Sequence, residues 1–153
     1  RYIGDWRINM IDLSLFTDKE AVELILDFYT FTLGFWDDEL DRIPEAKKFV
    51  DLGLTCPDED YPELKKPNEQ GYELLHEYIK KMSDDFIKNI ETNGIEQKQD
   101  DVNKWFLDNL KLNTIEDAED IASYICGNLY HYGYKNHKCS SLRKGKFYWF
   151  EKI

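Results

Sequence analysis

The stretch Pro67 to Gly94, PNEQGYELLHEYIKKMSDDFIKNIETNG, decides the fold class of this chain. Its apolar side chains recur at intervals of three and four residues, which is the spacing of one helix face. Proline suits the first turn of a helix, and Asn-Gly suits its end. The pattern predicts a helix to about Thr92. The apolar face comprises Leu74, Leu75, Tyr78, Ile79, Met82, Phe86, Ile87 and Ile90.

Two shorter helices are predicted on the N-terminal side of this long helix. Thr17 and Glu20 have the spacing of a capping box, in which the threonine hydroxyl and the glutamate carboxylate each satisfy a free backbone N–H. The helix that they begin should run to about Leu33. Pro44 suits the first position of a second helix, which Gly53 should end.

Two other N-terminal segments lack a helical pattern. Residues 1–16 alternate loosely and predict a short strand or an extended arm. Residues 54–67 hold three prolines and four acids, which predicts a loop and an internal boundary. Arg1 reads as a cut within a longer chain, and Ile153 as a second such cut.

On the C-terminal side, helices are predicted from about Asp101 to Leu110 and from a cap at Thr114. Residues 138–142 and 147–150 then predict two strands around a turn that contains glycine. The expected fold is mainly α, with about five helices and a C-terminal β-hairpin. We divide it into an acidic helical region, 1–99, and a winged-helix-like region of helices and hairpin, 100–153, with one compact domain as the alternative.

The charge of the chain is unevenly distributed. The 31 acidic and 20 basic residues give a net charge of -11. Residues 1–127 hold 30 acids and 14 bases, whereas residues 128–153 hold six bases and one acid. A protein that coats nucleic acid with its whole surface needs a net basic footprint, so the helical body is excluded from that class. The basic tail is not.

The tail interleaves cations with aromatic rings, the chemistry that holds phosphates by charge and bases by stacking. An alternative is that these rings belong to a core. Phe147 and Trp149 should face one side of an alternating strand while Tyr148 and Phe150 face the other, so both faces would be covered. The predicted nucleic-acid contacts are Lys138, Arg143, Lys144, Lys146, Tyr148 and Trp149.

Cysteines and histidines suggest a weaker metal hypothesis. Cys126, His131, His137 and Cys139 could supply a tetrahedral zinc site, but their spacing matches no standard finger. The alternative is that Cys126 is buried, that the two histidines lie on the surface by chance and that Cys139 is an ordinary strand residue. Three cysteines are too few for a disulfide scaffold and favour a reducing, intracellular compartment.

Catalytic signatures are weak throughout the sequence. Asp58, Glu63 and Lys65 superficially match a PD-(D/E)xK nuclease motif, although bracketing prolines argue against it. The other acidic clusters are explained by solvated faces and helix caps. Phosphate-binding glycine loops are missing, and no apolar run is long enough to span a membrane. We therefore expect no cofactor and no membrane partner. We also expect that the chain is not an enzyme, although that class stays open.

The segment Lys138 to Glu151, KCSSLRKGKFYWFE, together with Ile121, Ala122 and Tyr130, resembles the region of poxvirus-type primase-helicases before the helicase motor. In that family a helix leads into a strand, a basic turn and an aromatic strand. The resemblance covers about 35 residues, and the aromatic order differs from the family's. It implies a non-catalytic fragment of a viral DNA-replication protein, in the cytoplasm or nucleus of an infected cell, whose tail contacts DNA or a neighbouring subunit.

Two other function classes stay open. The acidic body, including Asp58, Glu59 and Asp60, could mimic the charge of DNA and bind a basic protein partner. A zinc or magnesium enzyme is the third hypothesis. We also expect the chain to be part of a larger protein or an oligomer.

Overall fold

The computed structural model describes residues 12–31 and 34–153, which form five α-helices and two three-stranded antiparallel sheets. Within this part of the chain, the mainly helical class and the C-terminal hairpin are confirmed. The chain divides into two compact units, Arg1–Tyr78 and Ile79–Ile153. The division falls inside a continuous helix and not at residue 100, and a helix interior offers no linker composition that a sequence could reveal.

The first unit begins, in the described residues, with the predicted capping box. Thr17 Oγ1 accepts from the Glu20 amide at 3.1 Å, and Glu20 Oε1 accepts from the Thr17 amide at 2.9 Å. The α-helix ends earlier than Leu33 and continues as π-helix. The elements of this unit are α1 (Asp18–Leu26), a π-helix (Asp27–Phe31), β1 (Phe35–Trp36), a 3-10 turn (Asp37–Glu39), α2 (Pro44–Asp51), β2 (Thr55–Pro57) and β3 (Leu64–Pro67).

The prediction of a loop over residues 54–67 is wrong. β2 and β3 pair antiparallel with Cys56 opposite Lys66, and β1 pairs with the other side of β3. Pro57 and Pro67 lie at strand ends, where a missing N–H interrupts little of the ladder. The many prolines and acids concealed these short strands.

Aromatic packing forms the core of the first unit. The Phe28 ring lies 5.0 Å from that of Phe35 and 5.4 Å from that of Phe49, and Phe16 lies 5.9 Å from Phe49. The buried Tyr78 hydroxyl accepts from the Phe16 amide and donates to the Leu13 carbonyl. Residues 1–11 of the predicted N-terminal strand or arm lie outside the described residues.

The long helix is confirmed as α3 (Glu69–Asn93). Asn68 precedes it, and its side-chain Oδ1 accepts from the Gly71 amide at 2.9 Å, which caps the first turn. Gly94 follows the last turn with φ of +103°, a left-handed conformation that glycine adopts without steric cost. The part of α3 from Ile79 onward belongs to the second unit.

The second unit contains β4 (Glu96–Lys98), α4 (Gln99–Asn109), α5 (Ile115–Gly127), a 3-10 turn (Leu129–Tyr132), β5 (Tyr134–Ser141) and β6 (Gly145–Lys152). Its sheet has the order β4-β6-β5, so the hairpin gains a third strand from the segment between α3 and α4. Thr114 caps α5 as predicted, accepting from the Asp117 amide. Gly145, at φ of +72°, ends the turn of the hairpin.

The helices of the second unit bury an apolar core. Phe86 of α3 stacks on Phe106 of α4 at 5.0 Å and meets the edge of Phe150 of β6 at 5.3 Å. Ile121, Ala122 and Ile125 of α5 are fully buried. Among the described helices, none combines the length and apolarity needed to cross a membrane.

Candidate nucleic-acid interface

The C-terminal sheet has two chemically different faces, and the strand register defines them. His137 lies opposite Trp149 on β5 and β6, and Glu96 lies opposite Trp149 from the other side. Because side chains alternate along a strand, residues in register share a face. We call one side the outer face: Lys135, His137, Cys139, Ser141, Gly145, Phe147, Trp149, Glu151, Glu96 and Lys98. The opposite side, which carries Tyr148 and Phe150, is the inner face.

The inner face is buried. Tyr148 is 2% exposed and Phe150 fully buried, and their rings stack at 5.5 Å. Burial raises the pKa of the Tyr148 phenol to about 12. Tyr148 was a predicted stacking residue, but it can offer no ring to a ligand without unpacking this core. It is therefore removed from the contact set.

The outer face is partly open, which argues against the alternative that both faces are covered. Trp149 is 45% exposed, and its ring lies 5.5 Å from the His137 imidazole. Phe147, two residues away on the same strand, is half-buried. Lys144 Nζ stands 5.4 Å from the Phe147 ring centre. Two rings on the central strand thus form an accessible platform beside a cation.

The predicted basic residues lie in two different settings. Arg143 is exposed at the hairpin tip, and Lys146, also exposed, lies opposite Ser140 in register with the inner face; among the described residues neither forms an ion pair. Lys144 is bound to Glu96, with 3.0 Å between Nζ and Oε1. Lys138 belongs to the inner face and donates to Ser123 Oγ at 2.8 Å. Lys138 is thus turned away from the exposed rings.

Two further cations on the outer face were missed by the sequence reasoning. Lys98 lies opposite Phe147, and Lys135 lies opposite Glu151. Lys98 was overlooked because β4, only three residues long and polar, gives no strand signal. Lys135 was counted among the basic residues of the tail, but only the strand register places it on the outer face.

The proposed zinc ligands are not gathered in the part of the chain that the structure describes. Cys126 is 1% exposed in α5, and burial raises the pKa of its thiol. His137 Nε2 instead pairs with Glu151 Oε1 at 3.0 Å on the outer face, and Cys139 lies on that face too. Over residues 12–31 and 34–153, no three histidine, cysteine or carboxylate side chains are grouped as metal ligands.

The nuclease-like residues are also not arranged as a metal site in the described part of the chain. Asp58 accepts from the Asp60 and Tyr61 amides, and the first of these hydrogen bonds is the main cause that lowers its pKa. Its carboxylate also lies 3.7 Å from Lys66. Asp58 therefore serves a tight turn between β2 and β3, and in the described residues it joins no set of metal ligands.

Comparisons of the chain with protein-family models, curated proteins and solved structures found no match. The function must therefore be argued from the outer face itself.

Proposed function

We propose that the second unit binds single-stranded nucleic acid on the outer face of its sheet, with Trp149 and Phe147 stacking on bases. The observation that carries this proposal is the 45% exposure of Trp149 beside a second ring on the central strand. A large apolar ring gains free energy when it is covered, and every base has a face that can cover it. The stacking is therefore tolerant of sequence.

The spacing of the two rings suits successive bases. Residues two apart on a strand are separated by about 7 Å and point the same way. Phe147 and Trp149 can therefore each contact one base of a strand that crosses the sheet. A duplex would keep its bases paired and stacked, so single strands should be preferred.

Phosphate contacts are assigned to cations around the platform. Arg143 at the hairpin tip is free to contact a backbone, and Lys98 and Lys135 flank the rings. Lys144 can exchange Glu96 for a phosphate, because an exposed ion pair contributes little stability. The original set is thus revised to Lys98, Lys135, Arg143, Lys144, Phe147 and Trp149, because Lys138, Lys146 and Tyr148 lie in register with the inner face.

Two finer expectations accompany this proposal. The resemblance supports a place in a viral primase-helicase-like replication protein, and the helices followed by a hairpin support a winged-helix-like arrangement of residues 100–153. Both remain predictions. The stacking proposal depends on neither, since it is argued from the outer face.

The test is fluorescence anisotropy with a labelled thymidine oligonucleotide over a salt series. Affinity should fall as salt rises. Trp149→Ala should weaken binding by about 1–3 kcal/mol, the usual loss of one stacked base. Trp36→Ala is the matched control, because Trp36 is 40% exposed but lies in the first unit. Equal losses in the two variants, or no binding at low salt, would refute the proposal.

A second candidate is an acidic surface for a basic protein, and one observation in the first unit favours it. An open cavity of about 880 Å³ is lined by Trp36, by Arg42 and by four carboxylates, Asp37, Asp38, Glu39 and Glu63, which outnumber that one cation. Trp36 also meets the Tyr61 ring edge-on at 5.9 Å. Aromatic faces and carboxylates both attract cationic side chains. Neutralising Asp58, Glu59 and Asp60 beside it should then weaken capture of a basic partner, while oligonucleotide binding stays unchanged.

A further inference from the structure

A second feature of the C-terminal unit adjoins the outer face. An open groove of about 820 Å³ lies between the end of α3, β4, α4 and the hairpin tip. Phe147, Glu96 and Lys98 belong both to this groove and to the outer face. Asn89, Asn93 and Gln97 also line it, and we call it the amide groove.

The three amide side chains form a hydrogen-bonded chain. Asn93 Nδ2 donates to Asn89 Oδ1 at 2.5 Å, Asn89 Nδ2 donates to Gln97 Oε1 at 3.0 Å, and Gln97 Nε2 donates to the Gly94 carbonyl at 2.9 Å. Asn89 is only 7% exposed. A buried amide with partners on both of its ends holds one orientation.

The Gly94 carbonyl sets the direction of the whole chain. A carbonyl can only accept, so Gln97 must present its nitrogen to it and its oxygen to Asn89. Asn89 then presents its oxygen to Asn93. Within the described residues, Asn93 keeps one N–H and its Oδ1 without a partner. An exposed amide of fixed orientation therefore lies in the groove, with one donor and one acceptor.

The rest of the groove holds both acceptors and cations. Asp101, Lys98 and Arg143 line it without an ion pair among the described residues, whereas the cation of Lys104 is bound to Asp108 at 3.3 Å. The two cations can hold a phosphate, and the Asp101 carboxylate can accept from an amino group. An amino-bearing base fits this lining, since adenine pairs its amine and a ring nitrogen with an amide. Thymine has no amino group to offer to Asp101.

We propose that the amide groove takes one unstacked base that carries an exocyclic amino group, with Asn93 as the reading residue. This inference rests on the proposed function, because it assigns the groove to the strand that the outer face holds. Phe147, shared by the two sites, connects them. The strand would thus be held by stacking on Trp149 and read at a single position in the groove.

The experiment uses the whole chain and short thymidine oligonucleotides that carry one adenine, moved through successive positions. A matched set carries unsubstituted purine, which lacks only the amino group, at the same positions. At one position adenine should bind at least about fivefold more tightly than purine or thymine. Asn93→Ala should abolish that ratio, whereas Trp149→Ala should weaken all oligonucleotides and preserve it.

Different outcomes separate the two proposals. Equal affinity for adenine, purine and thymine at every position, with binding still dependent on Trp149, overturns the groove assignment and leaves the stacking proposal intact. A ratio that persists in Asn93→Ala also overturns it. Absence of binding to every oligonucleotide refutes both. The adenine-to-purine comparison needs no variant, so a misfolded Asn93→Ala protein would not prevent the test.

Discussion

The two faces of β6 carry the same residue types and do opposite things. Tyr148 and Phe150 on the inner face are buried under the helices, whereas Trp149 on the outer face is 45% exposed. Hydrophobicity alone does not distinguish them. What differs is the packing: helices cover the inner face, whereas Trp149 on the outer face is left exposed. An aromatic ring that the described residues leave largely exposed is a better indicator of a binding surface than a count of aromatics.

The largest effect should come from Phe150→Ala, which would empty the inner face. Phe150 is fully buried against Phe86 and Tyr148, so its truncation should cost about 3–5 kcal/mol of unfolding free energy. Trp149→Ala, the neighbour on the outer face, should change stability by less than about 1 kcal/mol. Urea unfolding followed by circular dichroism measures both. Similar losses in the two variants would break the distinction between the faces.

A pH titration offers a second, smaller effect that is specific to the inner face. Burial raises the pKa of Tyr148 to about 12, from about 10 in an unfolded chain. Between these values the unfolded state binds fewer protons than the folded state, so stability should fall as pH rises from about 10 to 12. Tyr148→Phe should lessen this fall. Burial also raises the pKa of Tyr78 and Tyr124, so part of it should remain.

If the Tyr148→Phe variant loses stability over that interval as steeply as the parent, Tyr148 does not titrate as a buried phenol. The inner face would then be more accessible than its packing indicates. Absorbance of tyrosinate near 295 nm would give an independent reading, because burial makes a phenol ionise at higher pH.

The smallest expected effect on stability comes from alkylating the cysteine thiols on the two sides of the sheet. Cys139 lies half-exposed on the outer face, whereas Cys126 in α5 is 1% exposed and its pKa is raised by burial. Iodoacetamide should therefore modify Cys139 and the half-exposed Cys56 in the native protein, with little loss of stability. Cys126 should react only after unfolding. Peptide mass mapping after timed quenching distinguishes the three sites, and early modification of Cys126 would contradict the assignment.

Much of the fold could be predicted because its signals are local. The capping residues Thr17 and Thr114, the three-and-four spacing over α3 and the turn glycine of the hairpin all act within a few residues. β2, β3 and β4 could not be predicted in the same way. They are three or four residues long, contain proline or charge, and exist because a distant strand supplies their hydrogen bonds.

The candidate site shows the same limit. The alternation of side chains along the strand correctly placed Phe147 and Trp149 on one face and Tyr148 and Phe150 on the other. It did not indicate which pair is covered. That depends on Phe86, more than sixty positions earlier, whose ring lies against Phe150. Lys138 looked like a free cation for the same reason, since its partner Ser123 is distant in sequence. The amide groove was invisible because asparagine and glutamine carry no periodic signal.

The strand order β4-β6-β5 has a consequence for how the protein is made. The central strand is the last of the three in the chain, so during synthesis β4 and β5 leave the ribosome before the neighbour that both require. Their edges stay unpaired, and the rings of Phe86 and Phe106 stay without Phe150, until β6 emerges. The sheet of the first unit, β1-β3-β2, also waits for its last strand, but the wait is shorter: β1 ends at Trp36 and β3 begins at Leu64, whereas β4 ends at Lys98 and β6 begins at Gly145. Chaperone contact during translation should thus last longer on the second unit, whose sheet lacks its central strand over a longer stretch of chain.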